Sequence, residues 1–279
     1  MNLQNYIRMG CQLDHTFKRM ERSTETMGAV DDGRYLCVRI DGIGLSKKYL
    51  KDKVEPGTFD ILIKKALIGT YEKLKQNCPR EVRNIFLCAM TCSDEVSIFL
   101  NAKPNNYDGR LFKITTTIAS TFSALFTQHK YQLAIHSGAD IQNSTLFDAE
   151  SFDGRPIQFE DSEQVYNYLF HRYATYVRNS ATKLLRLNGV PSTELYSEQN
   201  YNNIDYIWSK VSSLNKHVEV ENIQHHPRLY VPNSSNHFKE YQFSSISEFI
   251  QKTPGLIDEH ESRLNVPRKI RQYNYRVSH

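Results

Sequence analysis

Residues 87–101 read LCAMTCSDEVSIFLN, two apolar runs with the adjacent carboxylates Asp94 and Glu95 between them. Solubility does not require like charges there, because a surface acid can stand anywhere. The runs NIFLCAM and VSIFLN predict two strands joined by a tight turn over Thr91–Glu95. Upstream, YLCVRI (35–40) alternates Leu36, Val38 and Ile40 against Cys37 and Arg39, the period of a strand. FDILIKKALIGTYEKLKQN (59–77) has the apolar recurrence of a helix. Downstream, GRLFKITTTIASTFSALF (109–126) sets Leu111, Ile114, Ile118, Phe122 and Leu125 on one helical face. LFDAESFDGRPIQF (146–159) reads as a strand ended by a turn and Pro156. Residues 162–187 read as a long helix opening on Ser162 as a plain N-cap. At the start, Leu3, Tyr6, Ile7, Leu13, Phe17 and Met20 predict an amphipathic helix interrupted near Gly10.

The inner order is strand–helix–strand–strand–helix–strand, the split βαβ arrangement. The expected fold is α+β, an antiparallel sheet with helices on one face. Residues 1–187 would form the core domain. From about Asn188 the chain turns polar, so 188–279 is expected to be a C-terminal extension. No internal repeat is evident. A length of 279 residues, 39% hydrophobic and 24% charged, belongs to a globular chain rather than a disordered one. No run is long enough to span a membrane and the start lacks a signal peptide's apolar core, so a cytoplasmic location is expected. Five cysteines without a C-x-x-C pair read as reduced packing residues. A net charge of +4 permits a polyanionic partner without demanding one.

In the split βαβ order the first strand lies beside the third and antiparallel to it. Asp41, just past YLCVRI, would then meet Asp94 at one edge of the sheet. Carboxylates so close raise one another's pKa unless a cation intervenes. Mg²⁺ takes hard oxygens, one or two carboxylates plus substrate phosphates, and two ions can hold both oxygens of a phosphoryl displacement. Gly42 and Gly44 let the backbone turn tightly after Asp41. Separately, Asp41–Gly42 is a simple turn and Asp94–Glu95 a solvated hairpin tip. Together they favour a metal site, without naming the reaction.

Five motifs stand in order: Arg39-Ile40-Asp41-Gly42, Ser93-Asp94-Glu95, Arg110 with Lys113, Phe152-Asp153-Gly154-Arg155 and Arg178-Asn179-Ser180. Leu13, Lys18 and Glu21 add to them near the start. Over residues 13–187 the chain resembles the tRNA-His guanylyltransferase family and its relatives, the 3′-to-5′ nucleotidyltransferases. The resemblance implies a polymerase-like palm and two Mg²⁺ ions held by Asp41, Asp94 and the Gly42 carbonyl, with Glu95 tuning or sharing the site. It implies activation of an RNA 5′ end with ATP and attack by the 3′-hydroxyl of an incoming nucleotide, usually GTP. Asp41, Gly42, Ile43, Gly44, Leu45, Ser46, Ser93, Asp94, Arg110, Lys113 and Asn179 would lie against nucleotide. Lys18, Arg155 and Arg178 are the expected RNA contacts, although Arg155 can instead anchor Asp153. The implied partners are tRNA or tRNA-like RNA, in a dimer or tetramer of the chain.

The sequence also departs from that family. Ile43, Leu45 and Ser46 stand where the family has Arg, an aromatic and His; a family lysine falls near Glu55–Pro56, with only Lys53 close. His171 and Thr175 replace a tryptophan and an acid. Two other readings therefore stand beside it: a nucleotide cyclase or oligonucleotide synthase on the same palm, and a weakly catalytic RNA-binding relative. His225–His226 reads as a solvated loop and Cys92 as packing. Arg263, Arg268, Lys269, Arg271 and Arg276, interleaved with Tyr273 and Tyr275, read as an RNA-contacting stretch or a solvated tail.

Overall fold

The computed structural model describes residues 2–30, 34–45, 57–77, 86–101, 109–138, 149–235 and 237–265. Ser46, Lys53, Glu55 and Pro56, and the side chains from Arg263 onward, lie outside what it describes. Six described strands, β1 (Tyr35–Gly42), β2 (Phe86–Cys92), β3 (Glu95–Asn101), β4 (Phe152–Phe159), β5 (Arg228–Pro232) and β6 (Phe238–Gln242), form one sheet. Their order is β4-β1-β3-β2-β5-β6, and each adjacent pair is antiparallel. The first strand thus lies beside the third, as the order of elements predicted. The two strands after residue 187 extend the same sheet beyond β2.

The described helices are α1 (Leu3–Gln12), α2 (Asp14–Glu25), α3 (Thr58–Asn77), α4 (Leu111–His136), α5 (Ser162–Leu187), α6 (Ser192–Leu195), α7 (Ile204–Ser213), α8 (His217–Ile223) and α9 (Ile246–Asn265). The expectation of helices on one face is corrected: they cover both. Leu36, Val38, Ile40 and Ile98 pack against Phe59 and Leu67 of α3 and Phe122 and Phe126 of α4. Cys37, Met90, Phe99, Ile157 and Leu229 face the other way, onto Ile7, Phe17, Val165, Tyr168, Leu169 and Phe249. All seven residues of β2 are buried. A strand apolar on both sides must be covered on both, since each large side chain left bare forfeits roughly 1.5–3 kcal/mol.

Three local readings also change. The N-terminal break falls at Leu13, between α1 and α2, and not near Gly10. Gly10 is buried inside α1, where a Cβ would sit 2.3 Å from the Ala174 Cβ of α5. It serves close helix approach rather than a turn. The N-cap of α5 is Asp161, whose side chain accepts the Gln164 N–H at 2.8 Å; Ser162 is already helical. Finally, β4 runs through Pro156, paired with Val38, instead of ending there. An edge strand tolerates proline because its missing N–H can face away from the ladder.

Candidate active site

Cross-strand register assembles the site. Asp41 at the end of β1 stands opposite Glu95 on β3 and opposite Asp153 on β4. Strand alternation sends all three side chains to the face beneath α5, the face to which Cys37, Phe99 and Ile157 also belong. One alternation back along β1 lies Arg39, opposite Ser97 and Arg155. A row of three acids is therefore backed by a row containing two arginines. Directly opposed like charges destabilise a sheet, and Glu21 of α2 separates this pair. Its carboxylate lies 3.2 Å from Arg39 and 3.7 Å from Arg155. Burial raises the Glu21 pKa against the lowering pull of Arg39 and Arg155.

The β2–β3 turn completes the edge. Ser93 takes φ 65°, a left-handed conformation costing a non-glycine residue roughly 1–2 kcal/mol. That turn aims the Asp94 carbonyl at the Gly42 N–H, 3.2 Å away, and holds Asp94 beside the end of β1. Asp41 feels the crowding. Burial, then Glu95 and Asp94, push its carboxyl up to about 6, against the lowering pull of Arg39.

Asp41, Asp94 and Glu95 form one wall of a cleft of about 190 Å³. Its other wall is α5, which contributes Arg172, Tyr176, Asn179 and Lys183 at i, i+4, i+7 and i+11, a single helical stripe. Arg172 is ion-paired with Glu95. Ser93 and Tyr176 also line an adjoining cavity of about 290 Å³, shared with Asp60, Lys64, His226, Arg228, Tyr230 and Glu240. His226 is half-buried there, 3.1 Å from the Tyr176 hydroxyl, which corrects its reading as part of a solvated loop. Cys92 is buried, and burial followed by Glu95 pushes its thiol pKa upward, in keeping with a packing role.

The structure brings together Asp41, Gly42, Ser93, Asp94, Glu95 and Asn179, and leaves other sequence-predicted residues elsewhere. Ile43 is exposed and Gly44 takes φ 73°. Leu45 is buried in the α3–α4 core with its Cδ1 under Gly42, so it supports the turn from behind. Arg110 and Lys113 are exposed at the start of α4, where Arg110 forms a backbone bridge with Ala29; neither lines the cleft. Lys18 is paired with Asp14 at 2.7 Å and Arg155 with Asp153 at 2.8 Å. Arg178 is buried, donating to Asn179 and Asn202 and lying over the Tyr201 ring. Sequence reading missed Arg172, Tyr176 and Lys183. Their spacing places them on one helical stripe, but the helix carries other polar residues such as His171, Thr175 and Arg178, so nothing in the sequence singled them out.

The donor set fits a hard divalent cation. Buried oxygens of Ser93 and Asp153 lack hydrogen-bond partners, and burial, then the neighbouring carboxylates, hold the Asp41 carboxyl up near 6. A positive charge would relieve both conditions. Among the described residues no three or more His, Cys, Asp or Glu side chains form a ready-made ligand cage. Mg²⁺ binds through one or two carboxylates and completes its shell with water and substrate phosphates.

A family profile described as "Thg1: tRNAHis guanylyltransferase" matches residues 17–160, just over half of the chain. No curated protein sequence matches it. Among solved structures, the fold is similar to a bacterial tRNA(His) guanylyltransferase (Thg1)-like protein in complex with ATP. That match has 19% identity and a TM-score of 0.57, over 87% of this chain and 98% of that one. The tRNA(His) guanylyltransferase of Saccharomyces cerevisiae matches at 16% identity and a TM-score of 0.54, covering 80% and 93%. A bacterial Thg1-like protein in complex with GTP matches at 17% and 0.51, covering 86% and 97%.

Proposed function

The chain belongs to the Thg1 family of tRNAHis guanylyltransferases, nucleotidyltransferase enzymes, and from that premise we propose that it adds nucleotides to the 5′ end of tRNA or a tRNA-like RNA. The observation that carries this reading is the edge where Asp41, Asp94 and Glu95 meet below the α5 stripe. The antiparallel sheet is taken as a polymerase-type palm, residues 1–187 as the catalytic core and 188–279 as its extension. Asp41, Asp94 and the Gly42 carbonyl would hold two Mg²⁺ ions, which supply charge stabilisation for phosphoryl oxygens and acidify an attacking hydroxyl.

The chain's own groups do the rest. Ser93, whose buried hydroxyl lacks a partner, is placed to donate to a phosphate oxygen at the mouth of both cavities. Lys183 and Asn179 offer a cation and an amide on the opposite wall, suited to triphosphate or to the RNA end. ATP would activate the 5′ end, and the 3′-hydroxyl of GTP would attack it. The enzyme would work in the cytoplasm as a dimer or tetramer. Arg110 and Lys113, away from the cleft, would meet the RNA backbone by charge.

End-labelled total RNA incubated with each nucleoside triphosphate and Mg²⁺ tests the reading. It expects 5′ ends that lengthen by whole nucleotides. Products formed from triphosphates without RNA would favour a cyclase or oligonucleotide synthase. Tight RNA binding without turnover would favour the RNA-binding relative.

A further inference from the structure

Asp41 has a carboxylate neighbour on each side, and each neighbour is ion-paired to an arginine of its own. Asp153 is held by Arg155 at 2.8 Å, and Glu95 by Arg172. The second pair is the more enclosed: the Arg172 and Glu95 side chains are 15% and 9% exposed. Arg172 reaches Glu95 across the cleft from α5, so this contact ties the helical wall to the acid edge. The pair is incompletely satisfied, since Arg172 Nε and Glu95 Oε1 lack partners.

A guanidinium paired with a carboxylate in a poorly hydrated site is hard to displace, because separation strands two buried charges. Glu95 is therefore not equivalent to Asp41 or Asp94 toward an incoming cation. From this geometry we infer that Arg172 is a positioning residue: it neutralises Glu95, withholds that carboxylate from metal, and holds α5 at its distance from Asp41 and Asp94. The inference rests on the proposed nucleotidyl transfer. Its consequence is that Glu95 shapes the cleft through Arg172 and is not a metal ligand.

The test uses the full-length chain with Mn²⁺ alone as probe, titrated by electron paramagnetic resonance, with thermal melting alongside. The variants are Arg172→Gln, Arg172→Lys, Glu95→Gln and the double variant Glu95→Gln/Arg172→Gln. Releasing Glu95 in Arg172→Gln should tighten Mn²⁺ binding by about tenfold or add a site, the scale on which groups neighbouring metal ligands act. Arg172→Lys keeps the charge, and the double variant removes both partners; each should bind Mn²⁺ as the wild type does. A purely structural role would lower the melting temperature and leave Mn²⁺ affinity unmoved in all four, which overturns the inference. So does loss of an Mn²⁺ ion in Glu95→Gln with Arg172 intact, or weaker binding in Arg172→Gln. If Arg172→Gln does not fold, Arg172→Met, which also removes the charge while Glu95 stays, takes its place with the same expected tightening, and unmoved or weaker Mn²⁺ binding there overturns the inference. Failure of the wild type to bind Mn²⁺, or indifference of that binding to Asp41→Ala, would instead remove the nucleotidyl-transfer reading, and the inference with it.

Discussion

Asp41 and Glu95 stand directly opposite each other on adjacent antiparallel strands, with side chains on the face beneath α5. Glu95 already has a cation in Arg172, whereas Asp41 gains from any further cation placed near it, at an edge where the Gly42 N–H donates to the Asp94 carbonyl and Ser93 turns through a left-handed φ.

Replacing Asp41 or Asp94 with alanine should reduce nucleotide addition at least about 100-fold, as for removal of a group that stabilises transition-state charge. The fold should persist, because Asp41 lies at the end of β1 and Asp94 in the β2–β3 turn, outside the packed core clusters. Circular dichroism and melting should match the wild type within a few degrees, while the extension assay on a responsive RNA reports the loss. Wild-type rates in either variant would contradict their assignment as catalytic residues.

Asp41 also predicts a pH effect on metal-free protein. Its pKa is raised from 3.8 to about 6 in the folded state, by burial and then by Glu95 and Asp94. Between those values the native state holds more protons than the unfolded one, so this group's contribution to stability falls as pH rises from about 4 to 6. The difference between wild type and Asp41→Asn, followed by urea unfolding, should change by up to about 2 kcal/mol over that window after allowance for partial solvent screening. Mg²⁺ should flatten it by favouring the ionised carboxylate.

His171 works in the opposite direction. It is buried, its Nδ1–H donates to the Gly10 carbonyl at 2.8 Å, and burial, then Arg172, push its pKa down to about 4. The unfolded chain takes up the proton first, so stability present above pH 6.5 is lost as pH falls toward 4, by as much as about 3 kcal/mol. His171→Asn should be less stable at neutral pH yet lose less on acidification. A parallel pH dependence in the two proteins would exclude this group as the cause.

Gly10→Ala tests the helix contact. A methyl group 2.3 Å from the Ala174 Cβ cannot fit without separating α1 from α5. The cost of such overpacking is about 1–3 kcal/mol. Ala174→Gly in the same chain should restore much of the loss. Chemical denaturation of Gly10→Ala, Ala174→Gly and the double variant would show the non-additivity expected of touching residues.

Much of this was legible along the chain. Strict alternation in residues 35–40 and the two apolar runs around Ser93–Glu95 identified the strands, and the antiparallel first-and-third pairing followed from their order. The Asp41–Asp94 approach was legible for the same reason: both acids sit at strand ends whose pairing is local to one sheet. The α5 wall was not. Arg172, Tyr176 and Lys183 look like the ordinary polar members of a helix, and only the crossing of that helix over the sheet turns them toward the acids. Leu45 shows the converse, because its place beside Asp41-Gly42 pointed toward nucleotide, while packing against the α3–α4 core turned it inward.

By itself the sequence determined the strands, their alternation and the carboxylates at their ends, since each depends on periods of two and on neighbours a few residues apart. Tertiary structure alone decided that both faces of the sheet are covered and that Glu95 meets Arg172. It also decided that Arg110 and Lys113 stand away from the cleft. These are long-range matters of register and helix crossing. They follow from how buried area and paired charge are satisfied together, which no local spacing encodes.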